Sequence, residues 1–207
     1  MDQDLVEMWA EIGSKPYWED LLNATFVPFE ERWPQPGFVG THYFDSSTHV
    51  VVMGQNPRAS NTQRASSADR KMFHLIRSHS ENRTAESLKA LFEMMGKFLL
   101  GIEPYRPAWR PITAARKHLN LQLDDIAYLN LIPLATHRRC SVPAFREAFD
   151  RATKRQLNLL DPAKIVVYGK GAYTTFMRLG GGQWNVRYIE QRNYHDAADV
   201  KIWLGSE

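Results

Sequence analysis

The run Thr48-His49-Val50-Val51-Val52-Met53-Gly54-Gln55-Asn56-Pro57-Arg58 joins four consecutive apolar residues, three of them β-branched, to a glycine and a proline. An uninterrupted apolar run of this length, bounded by turn formers, reads as a strand buried on both faces, as in parallel sheets. Gly54 frees the backbone to turn sharply at the strand's carboxyl end, and Pro57 stiffens the exit. In open α/β sheets that edge is where ligands bind. An ordinary strand-to-loop turn would use the same residues.

Three more segments read as strands: Ile126-Ala127-Tyr128-Leu129-Asn130-Leu131-Ile132-Pro133, Lys164-Ile165-Val166-Val167-Tyr168-Gly169 and Val186-Arg187-Tyr188-Ile189. Helical patterns separate them. Residues 3 to 13 and 16 to 23 read as short helices, the second capped by Ser14 with Pro16 in its first turn. After a polar loop from Ala59 to Asp69, Met72, Phe73, Leu75 and Ile76 fall near helical spacing. Thr84 caps a long helix with apolar face Leu88, Leu91, Phe92, Met95, Phe98 and Leu99, ended by Gly101 and Pro104. Residues 112 to 119, 141 to 160, 171 to 179 and 197 to 204 read as further helices, with Ser141 capping the second of these. Gly180, Gly181 and Gly182 read as a flexible link. Residues 24 to 47 form an irregular covering segment. The expected fold is α/β, a three-layer α/β/α sandwich around a four-stranded parallel sheet. A single domain is expected over residues 1 to 207, a length within the roughly 100 to 200 residues usual for one domain.

Composition narrows the class. With one cysteine, Cys140, the chain holds neither an internal disulfide framework nor a four-cysteine metal or iron–sulfur site. No cofactor and no metal are expected. Asp2, Asp4 and Glu7 stand where a secretory signal would carry basic residues, and no apolar run approaches the roughly 20 residues that span a bilayer. A cytoplasmic monomer without a membrane partner is the expectation. Net charge is only +3, but cations gather after two of the strands: Arg58, Arg64, Arg70 and Lys71, then His137, Arg138 and Arg139. Phosphate contact is the usual reason to gather Lys and Arg at a cleft, although each cluster alone also suits a solvated surface.

The anomaly in the second long strand is Asn130, an amide in an apolar run. Left without hydrogen-bond partners it would cost roughly 1 to 3 kcal/mol. A neighbouring backbone group could satisfy it. Otherwise it points into a pocket, where an amide offers an acceptor and donors that match a nucleobase edge.

Gly54-Gln55-Asn56-Pro57 resembles the first signature of the uracil-DNA glycosylase superfamily, in which a strand ends in Gly-x-Asp/Asn-Pro. Leu129-Asn130-Leu131-Ile132-Pro133-Leu134 is similar to the Asn-x-x-Pro-Leu segment of its single-strand-selective branch. Arg70-Lys71-Met72-Phe73 is similar to a helix start in the mismatch-specific branch. The resemblance implies the same order of strands and helices, and roles for particular residues. Asn56 would handle the hydrolytic water, Asn130 would read the N3 and O4 edge of uracil, and Gly54 and Gln55 would border the base. Phe73 would stack on the base, although beside Met72 in an amphipathic helix it also suits a core. Relatives carry His-Pro-Ser or Asn-Pro-Ser after the last strand. This chain departs from that, with Arg192-Asn193-Tyr194-His195 in its place. His195, or else Asn193, would donate to O2 of the base, and Tyr194 would fill the gap left in the stack or lie against a neighbouring base. Arg58, Arg64, Arg138, Arg139 and Arg192 would contact DNA.

The implied activity is that of a monofunctional DNA glycosylase in base excision repair, acting on uracil or a related deaminated base flipped from DNA. Asn56, a neutral amide, can orient water but cannot take up its proton, so slower catalysis is expected than with Asp at this place. Two other classes stay open: a non-catalytic nucleic-acid-binding protein on the same fold, and an enzyme acting on free nucleosides or nucleotides.

Overall fold

The computed structural model describes residues 2–21, 26, 33–55, 67–100, 121–136 and 142–189. Those within 1–37, 56–95 and 132–159 form one compact unit, and those within 38–55, 96–131 and 160–207 a second.

The first unit is helical. α1 (Gln3–Gly13) starts at Asp2, whose side chain accepts a hydrogen bond from Asp4 N–H, and buries Leu5, Val6, Trp9, Ala10 and Ile12. α2 (Ser67–Asn82) packs along it, and α3 (Ala85–Leu100) begins after Thr84, whose hydroxyl accepts from Ser87 N–H as an N-cap should. Trp9 meets Phe92 edge-on at 6.0 Å. Ser14 does not open a second helix: its hydroxyl donates to Glu11 O and closes α1. In place of that helix stands one 3₁₀ turn, Pro16–Trp18, held back against the end of α1 by a hydrogen bond from the Trp18 indole to Ile12 O. The helix expected over 141–160 is interrupted. α4 (Val142–Ala148) passes through a π-turn, Phe149–Thr153, into α5 (Lys154–Leu160). Within that turn the Arg151 carbonyl accepts from the Tyr17 hydroxyl, while the Arg151 guanidinium bridges both carboxylate oxygens of Asp20 at 2.7 and 2.6 Å. The Ser141 cap and the helices expected at 112–119 and 197–204 lie outside the described residues. Among the described residues, no helix is long and apolar enough to cross a membrane.

The second unit contains the sheet. Its strands are β1 (Phe38–Val39), β2 (Val50–Gly54), β3 (Ile126–Asn130), β4 (Lys164–Tyr168) and β5 (Val186–Ile189). They lie in the order β1-β3-β2-β4-β5. The α/β class and all four anticipated strands are present, but the sheet is five-stranded and mixed rather than four-stranded and parallel. The addition is β1, which pairs antiparallel with β3 at the edge. Two residues cannot display a period-2 pattern, so a strand this short gives no periodic signal amid the prolines and aromatics of its segment. Every residue of β2 and β3 is buried. This is why both appear in the sequence as unbroken apolar runs, each buried Val, Leu or Ile contributing about 1.5–3 kcal/mol. β5 lies at the other edge, where Arg187 and Tyr188 are exposed.

Helix α6 (Lys170–Arg178) comes after β4, and the chain turns beyond it at Gly180, whose φ of 104° suits glycine. The glycine run is not the flexible link expected. Gly181 is buried, and a side chain on it would meet the ring of Phe176 at 2.7 Å. Phe176 in turn stacks on Trp184 with centroids 5.7 Å apart.

Candidate functional site

β2 and β3 run parallel in a register that pairs Val50 with Ile126 and, four residues on, Gly54 with Asn130. Both strands therefore stop at the same level. The ladder continues to that point, because Leu131 N–H donates to Gly54 O at 2.9 Å. On its other side β2 pairs with β4. The chain thus leaves β2 toward β3 and returns past it to β4, so the winding direction reverses between β2 and β4. In open sheets ligands lie outside the carboxyl ends of strands at such a reversal.

Strand alternation puts Tyr128 and Asn130 on one face. The Tyr128 hydroxyl donates to Asn130 Oδ1 at 3.3 Å. Both residues are buried, at 4% and 6% exposure. Burial pushes the Tyr128 phenol well above its ordinary pKa, so the hydroxyl keeps its proton and remains available as a donor. Gly54 completes the arrangement: a Cβ there would lie 2.5 Å from Tyr128 Oη and 3.0 Å from Asn130 Oδ1. The amide therefore lies where a side chain at position 54 would otherwise be. Gly54 is needed for this close approach more than for the turn after the strand. The side chain of Tyr128 thus meets the Asn130 amide oxygen. Sequence reasoning overlooked it; the signal was its place two residues before Asn130, which in a strand means the same face.

The third strand end on this edge is β4. Gly169 has φ 90°, donates its N–H to Ile189 O at 2.9 Å, and leads into Lys170 at the start of α6. Nothing lies within 4 Å of where a Cβ would sit on Gly169 or Gly171. From Lys164 to Ile189 the sequence has Lys164, Lys170, Arg178 and Arg187 but no Asp or Glu.

Of the anticipated site residues, the structure brings Gly54 and Asn130 together and leaves Gln55 exposed immediately after β2. Phe73 belongs to the first unit, where it is buried in α2 beside Met72 with Ile76 one turn on. Asn56, Arg58, Arg64, Arg138, Arg139, Arg192, Asn193, Tyr194 and His195 lie outside the described residues. Among the described residues, no group of three His, Cys, Asp or Glu side chains is placed to hold a metal ion. In comparisons with known proteins, no family model and no curated sequence matches this chain.

Proposed function

We propose that this chain is a DNA glycosylase that hydrolyses the N-glycosidic bond of uracil, or a related deaminated base, flipped out of DNA. The observation that carries this reading is the pairing of Gly54 with Asn130 at the carboxyl ends of adjacent parallel strands. A buried amide thus lies beside a residue with no side chain at the carboxyl edge, where open α/β sheets in general bind ligands. The amide nitrogen donates to O4 of uracil while Oδ1 accepts from N3–H, using a lone pair beside the one that meets Tyr128.

In the reaction, water adds to C1′ of the deoxyribose as the bond from C1′ to N1 breaks and its electron pair leaves with the base. The water's surplus proton is released, the uracil anion gains a proton, and an abasic sugar remains. Negative charge develops over O2 and O4, so donors fixed at those atoms lower the barrier. Asn130 supplies the donor at O4. By the resemblance, His195 or Asn193 supplies one at O2 and Asn56 orients the water. Arg58, Arg64, Arg138, Arg139 and Arg192 contact phosphates, and Tyr194 occupies the gap in the stack. Extruding the base costs a few kcal/mol, least from mismatched or single-stranded DNA.

The test is incubation of end-labelled oligonucleotides bearing uracil, hypoxanthine or xanthine, followed by alkali. Strand breakage at the modified base is expected, with uracil the first choice. Equal binding of modified and ordinary DNA with no breakage would instead indicate a binding protein on this fold. Turnover of free deoxyuridine alone would indicate a nucleoside enzyme.

A further inference from the structure

We propose that α6 and β5 present a platform for an unpaired nucleic-acid strand, with bases stacking on Tyr173 and Tyr188 and a phosphate held by Lys170. The surface lies wholly within the second unit, and the proposal stands whether or not the chain excises a base.

β5 is the outer strand of the sheet, and strand alternation sends Arg187 and Tyr188 to opposite faces. Tyr188 turns toward α6, where its ring meets that of Tyr173 with centroids 4.9 Å apart and planes tilted by 37°. α6 buries Ala172 and Phe176. Lys170, Tyr173 and Met177, spaced by three and four residues, fall along another side of the helix. Lys170 and Met177 are exposed, and Tyr173 is half-buried. Single exposed apolar side chains are ordinary. Here Met177 and Tyr188, at 38% and 36% exposure, are two of the four large hydrophobic side chains left exposed among the described residues. Tyr173 joins them, touching Tyr188 and standing one turn before Met177. A contiguous exposed patch of this kind marks a binding surface.

Charge selects the occupant. From Lys164 to Ile189 the chain carries Lys164, Lys170, Arg178 and Arg187 and no carboxylate, and acidic residues resume at Glu190. Lys170 and Arg178 stand at the two ends of α6, so cations bracket the aromatic surface along the helix. An unpaired strand suits both features, because every base has a π-face to lay on an aromatic ring and every nucleotide brings a phosphate. A duplex keeps those faces inside its stack, so the surface favours single strands. An acidic peptide supplies the charge without the row of flat faces.

The test is binding of labelled oligothymidylate, which contains no uracil, by the wild-type chain, Tyr188→Ala, Tyr188→Phe and Lys170→Gln over a range of salt concentrations. Tyr188→Ala is expected to weaken binding by about 5-fold or more, the loss of one base–aromatic stack, and to keep the salt dependence. Tyr188→Phe, which retains the ring, should bind as the wild-type chain does. Lys170→Gln should reduce the slope of log K against log salt by about 0.7, the share of one phosphate contact on a single strand. Pairing the oligomer with oligodeoxyadenylate should abolish the effect of Tyr188→Ala. Unweakened binding by Tyr188→Ala would overturn the proposal, and so would an unchanged slope in Lys170→Gln, a variant that keeps the proposal testable should Tyr188→Ala fail to fold. Polyglutamate that displaces the oligomer equally well would overturn it in favour of an acidic protein partner. None of these outcomes bears on uracil excision, which is measured separately.

Discussion

Gly54 and Asn130 end their strands side by side, so close that a methyl group on Gly54 would stand 3.0 Å from the Asn130 amide oxygen and 2.5 Å from the Tyr128 hydroxyl. Gly54→Ala should therefore destabilise the fold by about 1–3 kcal/mol, as overpacking of a buried site does. Tyr128→Phe removes the nearer obstacle, and the next atom of that ring, Cζ, is at 3.4 Å, an ordinary contact. The double variant should then be more stable than the two single losses predict, by about 0.5 kcal/mol or more. Urea denaturation of all four proteins measures this, and simple additivity would refute the crowding argument.

His79 is fully buried in the first unit, with Nε2 at 3.1 Å from Val6 O and Nδ1 at 2.8 Å from the Ser87 hydroxyl. The carbonyl can only accept, so Nε2 carries the proton and, in the neutral ring, Ser87 donates to Nδ1. Burial holds the imidazole below its ordinary pKa, while Val6 O and Glu7 act in the opposite direction. Above pH 6.5 both folded and unfolded chains carry a neutral ring, and the full stability is present. As the pH falls below that value the unfolded chain takes up the proton first, and stability declines until the folded pKa is passed. His79→Leu should lose this part of the pH dependence and cost about 1–3 kcal/mol at neutral pH by leaving Val6 O without its donor. Denaturation at about pH 5 and about pH 7.5, with and without the substitution, isolates the effect.

Asn56→Asp replaces an amide that can only orient water with a carboxylate that can also accept its proton. Excision should rise, with a rate that climbs with pH through the carboxylate range, near ~4 for an unperturbed Asp. Single-turnover rates between about pH 4 and about pH 8 test this. A rate no faster than that of the parent chain would remove Asn56 from the role given to it.

Each compact unit is assembled from three separate stretches of chain, so neither is encoded by one continuous piece. One cooperative transition is expected on denaturation, with tryptophan fluorescence and far-ultraviolet circular dichroism changing together. Two separated transitions would show that the units unfold independently.

The strands that build the sheet could be read from the sequence because central parallel strands are buried on both faces, and burial leaves unbroken apolar runs such as Val50 to Met53. Phe38–Val39 could not, because an edge strand of two residues has no pattern. The interruption at Phe149–Thr153 was equally silent: its residues are ordinary helix residues, and the π-turn is paired through groups distant in sequence, such as the Tyr17 hydroxyl on Arg151 O. At the site, Gly54 and Asn130 stood out as a turn former and a misplaced amide. Tyr128 did not, since an aromatic in a strand is unremarkable until its hydroxyl is seen to reach Asn130.

The central claim is that Asn130 grips an extruded pyrimidine, and single-turnover excision of uracil from a single-stranded oligonucleotide by the wild-type chain and Asn130→Ala tests it most directly. The account predicts abasic product from the wild-type chain and a rate lower by about 100-fold or more in the variant, the loss expected when one donor to developing charge is removed. Product formed equally fast by both proteins, or by neither, would contradict it.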